Sequence, residues 1–503
     1  MNEPVIVTID AGERPLTRSW EVCLGSGDAW SLLRADLQEQ LRRAAADCGF
    51  RYLRCHGVLC DELQVLRRDR HGILIYNWQL LDAAFDGLLA CGLRPFVELG
   101  FMPTALASGN AAVFYYRANV TPPARYEEWS DLIAALVAHW RDRYGIGEIR
   151  EWYFEVWNEP NLDSFWAGTR DQYFELYRQT ARTIKRVDSA LRVGGPATTR
   201  GEWLPDFVRW CRDSRTPLDF ISTHVYPDDD EFEKTDPVYR EIHNRGRYLE
   251  RVVERVADAM DSEVPVETRA SDRLEQHWTE WNASWRWGQP IHDSTNLAAY
   301  ICRALHHVHQ RVDSFAFWTV SDIFNEFPYP RSTLVGGFGL LNMHGLPKPG
   351  YHAYTLLHRL GEGEMSIALA PSDSAVTDRL DCWATRSERG HQILISNYTP
   401  PDPGIRGQPF DLEVHLHVGA ADARYEMVEY LVDGSHANLL AAWEGLKRPD
   451  NPTRQQITEL RSASMLAPSA LRTLTASAAS ILTFRTSLAP ESVAFYELTR
   501  QET

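Results

Sequence analysis

The sequence lacks a run of about 18 consecutive apolar residues, which argues against a membrane-spanning helix. Residues 1–20 contain Asp10, Glu13, Arg14 and Arg18, so the apolar core of a secretory signal peptide is missing. The eight cysteines are scattered, without the spacing of a zinc site or a disulfide framework. These absences predict a reduced, cytoplasmic protein with no membrane partner.

Basic residues are also in the minority. The chain has 52 Lys and Arg residues against 69 Asp and Glu residues, which gives a formal net charge of −17, and it has no basic stripe. This charge opposes binding to a phosphate backbone, so we expect no nucleic acid partner. A neutral or cationic small substrate fits the charge better.

Aromatic residues, by contrast, are plentiful. The sequence contains 17 Trp, 20 Tyr and 19 Phe, which together make up 11% of its residues. Aromatic side chains pack well in protein cores. Their faces also pack against the C–H faces of sugar rings. The composition leaves both interpretations open.

Short apolar runs alternate with longer amphipathic stretches from about residue 20 onward. Eight β/α repeats over roughly 300 residues predict an α/β fold, a (β/α)8 TIM barrel. The alternative is a doubly wound open sheet, but no Gly-rich phosphate turn follows the first strand. The predicted strands are residues 20–27, 52–59, 94–102, 152–160, 192–197, 220–227, 277–282 and 314–322. The predicted helices include residues 34–48, 80–91, 126–144, 173–187, 247–260 and 296–312.

The pattern changes in the last third of the chain. Short alternating runs are separated there by turns rich in Pro, Gly and Asp, which is typical of a β-sandwich. The runs are residues 392–397, 410–418 and 480–486. Because 503 residues exceed what one core usually fills, we expect two domains. They are a barrel at residues 16–360 and an accessory β-sandwich formed by residues 1–15 and 361–503.

The fourth predicted strand ends in Trp157-Asn158-Glu159-Pro160-Asn161. The carboxyl ends of barrel strands form the active face of a TIM barrel. A glutamate at this position is suited to protonating a leaving oxygen when aromatic surroundings raise its pKa. Trp157 and Trp166 are candidates for those surroundings.

The second candidate carboxylate is Glu280, in the Thr279-Glu280-Trp281-Asn282 motif that closes the seventh strand. Glutamates on strands four and seven lie nearly across the barrel mouth from each other, so both side chains can reach one sugar. A carboxyl separation of about 5–5.5 Å would make Glu280 a nucleophile, whereas about 6.5–9.5 Å would leave room for an inverting water. The residues alone leave both mechanisms open.

Polar and aromatic groups at other strand ends predict the rest of one cavity. They are His56, His224, Tyr226, Trp318 and Asp322, with Glu326 in the loop that follows.

Other polar motifs do not support a metal site or a second kind of chemistry. Consecutive carboxylates at Asp228, Asp229 and Asp230 point in different directions, so we expect a solvated loop there. The histidines at positions 306, 307 and 309 lack the spacing of zinc proteases, and no serine elbow occurs. We predict neither a metal nor another cofactor.

These motifs make the sequence resemble glycoside hydrolase family 39, within a clan whose barrels carry the acid/base and the nucleophile on strands four and seven. The resemblance covers roughly residues 16–360. The matching stretches are residues 52–57, 95–103, 154–162, 279–282, 317–322, 336–340 and 348–349.

The resemblance implies a double displacement with retention of configuration. It assigns Glu159 as acid/base and Glu280 as nucleophile. It also implies that Asn158 holds the sugar 2-hydroxyl and that Tyr226 orients the nucleophile. The implied pocket and aglycone residues are His56, His224, Trp318, Glu326, Phe165 and Trp166.

Within this family, the strand-end motifs resemble the β-xylosidases more than the α-L-iduronidases. We therefore expect an exo-acting β-xylosidase that releases terminal xylose from xylo-oligosaccharides or xylosides. Two departures are Asp28, where a histidine is expected, and a long polar segment at residues 267–276. Two alternatives remain: another glycone, such as an α-L-arabinoside or a modified oligosaccharide, and a non-catalytic sugar-binding barrel. The sequence leaves homo-oligomer formation open.

Overall fold

The computed structural model describes residues 3–232, 247–263, 274–400 and 405–501. Most of the polar segment noted above, residues 267–273, lies outside the described residues. The strands are β1 (Val5–Pro15), β2 (Cys23–Asp28), β3 (Tyr52–His56), β4 (Leu66–Arg68), β5 (Leu74–Tyr76), β6 (Arg94–Leu99), β7 (Ala112–Val113), β8 (Ala118–Asn119), β9 (Tyr153–Val156), β10 (Arg192–Thr199), β11 (Phe220–Val225), β12 (Glu275–Trp281), β13 (Ser314–Phe317), β14 (Gly363–Ala370), β15 (Leu380–Ser387), β16 (Gly390–Asn397), β17 (Phe410–His417), β18 (Arg424–Val432), β19 (Pro468–Thr475), β20 (Ile481–Leu488) and β21 (Ser492–Arg500). The helices are α1 (Ala35–Cys48), α2 (Gln79–Ala90), α3 (Tyr126–Tyr144), α4 (Ile146–Ile149), α5 (Arg170–Val187), α6 (Leu204–Asp213), α7 (Tyr248–Glu263), α8 (Thr295–Val308), α9 (Pro349–His358), α10 (Ser374–Thr377), α11 (Leu439–Gly445) and α12 (Arg454–Ala463).

Eight parallel strands close into a barrel in the order β2-β3-β6-β9-β10-β11-β12-β13. The ring closes where Phe317 of β13 pairs with Leu24 of β2. This closure excludes the open sheet and confirms the predicted TIM barrel. Every predicted barrel strand overlaps an observed one, although β13 ends at Phe317 instead of residue 322.

Helices cover the outside of the barrel through apolar stripes with helical spacing. In α3 the buried side chains include Trp129, Ile133, Leu136 and Trp140, which recur every three or four residues. The start of α5 is fixed by a capping box, in which the Thr169 side chain accepts from the backbone of Gln172 and the Gln172 side chain accepts from the backbone of Thr169.

Nine of the remaining strands form a mixed sheet in the order β19-β18-β21-β16-β15-β14-β1-β17-β20, and the other four form the pairs β4-β5 and β7-β8. Its apolar core includes Val7 and Ile9 of β1, together with Ile393, Val414 and Leu482. Strand β1 pairs antiparallel with β14 and parallel with β17, so the start of the chain lies inside this sheet. The predicted C-terminal β-structure is therefore confirmed. Among the described helices, none is long and apolar enough to span a membrane.

Candidate active site

The predicted site residues come from different strands but lie at the same end of the barrel. Glu280 lies near the end of β12, and His224 lies near the end of β11. The register of these neighbouring strands pairs His224 with Glu280. Glu159 follows β9 and donates its backbone N–H to the Ala197 carbonyl at 2.9 Å.

The chain turns sharply after β9. Trp157 and Glu159 have φ values of 73° and 46°, in the left-handed region that non-glycine residues seldom adopt. The turn is held by Trp157, whose indole N–H donates to the Phe165 carbonyl at 2.8 Å and whose ring packs edge-on against Trp166 at 5.0 Å. The turn therefore presents the side chains of Asn158 and Glu159 to the barrel mouth.

Glu159 and Glu280 are close neighbours. A carboxylate oxygen of each, together with a ring nitrogen of His224, lies within 4.8 Å of the others. This separation corresponds to the short spacing of retaining glycosidases, about 5–5.5 Å, and not to the about 6.5–9.5 Å of inverting ones.

Glu280 is held by two donors. Arg54 Nη1 donates to Oε1 at 2.7 Å, and the Tyr226 hydroxyl donates to Oε2 at 2.8 Å. Burial raises the pKa of Glu280, and the positive charge of Arg54, the nearby His56 and the Tyr226 hydrogen bond oppose that rise. Burial also raises the pKa of Tyr226 well above its usual value, so the phenol keeps its proton and remains a donor.

Glu159 has different surroundings. Burial and the neighbouring charge of Glu280 raise the pKa of Glu159 well above its usual value. Its Oε1 lies 2.9 Å from His224 Nδ1. Burial, with Arg54 and His56 close by, lowers the pKa of His224 well below its usual value, so that imidazole is neutral. A protonated Glu159 therefore faces Glu280, whose donors favour its ionised form.

Arg54 is the centre of the network, and the sequence interpretation gave it no role. It is fully buried, with Nε donating to Glu155 at 2.6 Å and Nη2 donating to the Asn158 side-chain oxygen at 2.8 Å. Nη2 also lies 3.0 Å from Glu98. The Asn158 amide is thereby oriented with its oxygen toward Arg54 and its NH2 group free for another acceptor.

His56 also lies beside Glu280, with Nε2 3.6 Å from Glu280 Oε1. Its Nδ1 is 2.5 Å from Glu98 Oε2, and its Nε2 is 3.4 Å from Glu326 Oε1. Burial, with the neighbouring charge of Glu280 adding to it, raises the pKa of Glu326 well above its usual value. Glu326 Oε1 is buried and has no hydrogen-bond partner in the part of the chain that the structure describes. A substrate hydroxyl would satisfy this atom.

Aromatic rings line the same cavity. The Trp318 ring centroid lies 4.6 Å from that of His56, and Phe114 stacks on His56 at 5.6 Å. Gly25 makes room for Trp318, because a Cβ atom at position 25 would lie 2.5 Å from its ring. Trp166 is buried, whereas Phe165 is half-buried and packs against Phe114 at 5.4 Å.

Asp28 is the last residue of β2. It is buried, accepts the Ser31 backbone N–H at 2.9 Å and accepts the Asn325 side-chain amide at 2.6 Å. Asn325 precedes Glu326, whose carbonyl oxygen accepts the Tyr115 backbone N–H at 2.8 Å. The loop that carries Glu326 is therefore held from two sides.

Two of the polar motifs behave differently from the sequence interpretation. Asp322 does not join the two glutamates; it pairs with the buried Lys348 at 2.7 Å. The solvated loop expected at residues 228–230 is wrong for Asp229, and Asp228 is only partly exposed. Asp229 is buried and accepts the Tyr226 N–H at 2.9 Å, and Asp228 accepts the hydroxyl of Ser284 at 2.5 Å.

Comparison with known proteins identifies the family. Residues 4–479 match the family model of glycosyl hydrolases family 39. A beta-xylosidase of Caldicellulosiruptor saccharolyticus is 40% identical over 464 residues, which cover 92% of this chain and 91% of that protein. A beta-xylosidase of Geobacillus stearothermophilus is 37% identical over 468 residues, which cover 90% and 87%.

A solved structure is similar over the full length. The crystal structure of a monomeric beta-xylosidase from Caulobacter crescentus CB15 superposes with a TM-score of 0.84 at 30% identity, over 99% of this chain and 100% of that one. The family match over residues 4–479 and the two long relatives lead to one conclusion. This chain belongs to glycosyl hydrolase family 39 and is a glycosidase.

Proposed function

We propose that this glycosidase is an exo-acting β-xylosidase that works by double displacement with retention. The observation that carries the mechanism is the separation of the two carboxylates, whose nearest oxygens lie within 4.8 Å of each other. Oxygens this close fit the carboxyl spacing of retaining enzymes, about 5–5.5 Å, better than the about 6.5–9.5 Å that leaves room for an inverting water.

In the first step, Glu280 attacks the anomeric carbon while Glu159 protonates the departing oxygen. The bond from the anomeric carbon to the leaving oxygen breaks, and an ester bond to Glu280 forms. In the second step, Glu159 removes a proton from water, which attacks the same carbon and releases Glu280. The raised pKa of Glu159 and the donors on Glu280 support this division of roles.

The remaining side chains bind the sugar. Asn158 takes the 2-hydroxyl, because its amide is oriented by Arg54 and lies beside Glu159. Tyr226 orients Glu280 through its hydroxyl. The other glycone contacts are assigned to His56, His224, Glu326 and Trp318, and the aglycone contacts to Phe165 and Trp166.

The identity of the glycone is supported by the two long relatives, both of which are beta-xylosidases. A second candidate is another glycone, such as an α-L-arabinoside, because Asp28, which stands where a histidine is expected, bonds Asn325 beside Glu326 in the proposed glycone pocket. Turnover of 4-nitrophenyl β-D-xyloside, α-L-arabinoside and β-D-glucoside distinguishes these sugars. We expect the highest kcat/KM on the xyloside; a higher value on either other sugar would contradict the assignment.

The nucleophile is tested by Glu280→Ala. We expect turnover of an aryl β-xyloside to fall by about 10⁴-fold or more, because the first step needs a nucleophile. Added azide should restore turnover and yield the α-xylosyl azide, since azide attacks from the face that Glu280 vacates. The control is Glu364→Gln, which replaces a buried carboxylate of the β-sheet domain that pairs with Arg14.

We also propose a reducing, cytoplasmic setting for the enzyme. All eight cysteines are free and buried, which supports a compartment without disulfide formation. Fractionation of the native cells, with activity measured in each fraction, tests this location.

A further inference from the structure

A chain of hydrogen bonds leads away from Glu159. His224 Nδ1 lies 2.9 Å from Glu159 Oε1, and His224 Nε2 lies 3.1 Å from Thr279 Oγ1. The Thr279 hydroxyl donates to Glu155 Oε1 at 2.8 Å. All four side chains are buried. The chain therefore joins the proposed acid/base to a carboxylate on β9 without exposure to solvent.

The direction of these hydrogen bonds follows from Glu155. Its Oε2 accepts Arg54 Nε at 2.6 Å, so this group serves as an acceptor. A hydroxyl has a single proton, and Thr279 gives that proton to Glu155. The Thr279 oxygen must then accept from His224, which places a hydrogen on Nε2.

We propose that Thr279 is a positioning residue that holds His224 in the Nε2–H tautomer, so that Nδ1 accepts the acid proton of Glu159. The inference rests on the function proposed above, because it concerns the acid form of the same carboxyl group. Thr279 is fully buried and out of reach of a substrate; its hydroxyl bonds both His224 and Glu155, and it reaches Glu159 through His224. A hydrogen bond made to the neutral form of a carboxyl group favours that form, so the chain keeps Glu159 protonated in the free enzyme.

The protonation state of His224 agrees with this arrangement. Burial lowers the pKa of His224 well below its usual value, so the ring carries one N–H and one lone pair. With the hydrogen on Nε2, Nδ1 is an acceptor, and the raised pKa of Glu159 makes that carboxyl the donor.

Other charged groups also act on Glu159 and are left in place by a change at Thr279. They face Glu159 or His224 from β3, β9, β12 and the loops after β10, β11 and β13. The set consists of Arg54, His56, Glu155, Glu280, Arg200, Asp229, Tyr226 and Glu326.

The test is the pH dependence of kcat/KM for Thr279→Val and Thr279→Ser. Valine removes the acceptor of His224 Nε2–H, which allows the hydrogen to move to Nδ1 and donate to an ionised Glu159. We expect the basic limb of the profile to move about one pH unit lower in Thr279→Val, as for the loss of about one hydrogen bond. Thr279→Ser retains the hydroxyl and should retain the basic limb.

Thr223→Val is the matched control. Thr223 is a buried threonine of β11 that donates to the Thr198 carbonyl and accepts the Gly201 N–H, so it is not part of the hydrogen-bond chain from Glu159 to Glu155. The basic limb of kcat/KM in Thr223→Val should match that of the wild type. The acidic limb, which reports Glu280, should stay in place in all three variants. A basic limb that is unchanged in Thr279→Val would overturn the proposal.

A measurement on the wild-type enzyme covers the case in which Thr279→Val fails to fold. Nitrogen-15 NMR of histidine-labelled enzyme, with the His224 signals assigned by their loss in His224→Asn, reports the tautomer directly. We expect a protonated Nε2 and an unprotonated Nδ1; the reverse would overturn the proposal.

If Glu159→Ala cleaves poor leaving groups normally, the proposed function itself fails, which is a separate outcome.

Discussion

Glu159 and Glu280 are both buried glutamates, yet their neighbours favour opposite protonation states. Arg54 and Tyr226 donate to Glu280, which favours the carboxylate. Glu159 lies beside a neutral His224 and next to the charge of Glu280, which favours the neutral acid. Two carboxyl groups whose surroundings separate their pKa values in this way are suited to acid and nucleophile roles.

Replacing Glu159 by alanine should affect substrates according to their leaving groups. A poor leaving group, such as the alcohol of an alkyl xyloside or xylobiose, needs protonation, so its cleavage should fall by about 10²–10⁴-fold. The first step on a 2,4-dinitrophenyl xyloside, which needs no proton, should change much less. The comparison of kcat/KM across a leaving-group series measures this difference. Equal losses on all substrates would contradict the role of Glu159 as the acid.

Arg54 should control the ionisation of Glu280. Without its positive charge the pKa of Glu280 rises, so a higher pH is needed to form the nucleophile. In Arg54→Gln we expect the acidic limb of kcat/KM to move to higher pH. Stability should also fall by about 3–5 kcal/mol, because buried carboxylates lose their partner.

Arg303→Gln is the control for Arg54. It removes another buried arginine, one that pairs with Asp381 away from the barrel mouth. It should lower stability and leave the pH profile unchanged. A profile that shifts equally in both variants would show that the effect of Arg54 is not specific to Glu280.

At the scale of elements, an ionic group of the buried Arg303 and Asp381 and the exposed His307 joins helix α8 of the barrel to strand β15 of the nine-stranded sheet. Arg303 Nη1 and His307 Nε2 of α8 lie 2.7 and 2.8 Å from the carboxylate of Asp381 on β15. Although burial acts to raise it, Arg303 and His307 hold the pKa of Asp381 well below its usual range. Although burial acts to lower it, the hydrogen bond to Asp381 raises the pKa of His307.

The stabilisation from this group depends on pH in both directions. The Asp381 contribution is present above its unfolded pKa and is lost as pH falls through its lower folded value. The His307 contribution is present below its unfolded pKa and is lost as pH rises through its higher folded value. Both contributions coexist at mildly acidic pH, where Asp381→Asn should have its largest effect, about 3–5 kcal/mol because Arg303 loses its partner.

Denaturant unfolding of Asp381→Asn between pH 4 and 8 measures this effect. The control is Asp433→Asn, whose partner His436 is half exposed and 2.9 Å away, and which should cost about 1 kcal/mol or less. A loss in Asp381→Asn no larger than that of the control would contradict the role of the ionic group.

The elements were predictable because barrel strands are apolar runs at regular spacing. Glu159, after β9, and Glu280, near the end of β12, were also predictable, because the carboxyl ends of parallel barrel strands share one face. The residues that bind and orient these two glutamates were not predictable from the sequence. Arg54 and Glu280 are 226 positions apart in the chain, and no local pattern tells which strands bring a buried arginine to its carboxylate.

One loop and two short helices were also not predicted from the sequence. The sequence predicted a solvated loop for Asp228 and Asp229, because three consecutive acidic residues are usually exposed. Instead, these carboxylates accept hydrogen bonds from Ser284 and from the Tyr226 backbone. Helices α11 and α12 lie between strands of the C-terminal β-structure and were not assigned.

At the scale of the whole molecule, we propose a division into a catalytic domain at residues 16–360 and an accessory domain formed by residues 1–15 and 361–503. The position of β1 between β14 and β17 supports this division, because the first strand belongs to the sheet built by the end of the chain. The barrel supplies the described residues around Glu159 and Glu280.

The stereochemistry of the first product tests the central claim most directly. Proton NMR of the wild-type enzyme acting on an aryl β-D-xyloside should detect β-xylose first, followed by slow mutarotation to the α-anomer. This result is expected because oxygens of Glu159 and Glu280 lie within 4.8 Å, which suits a covalent intermediate on Glu280. Early appearance of α-xylose would show inversion and would contradict the account.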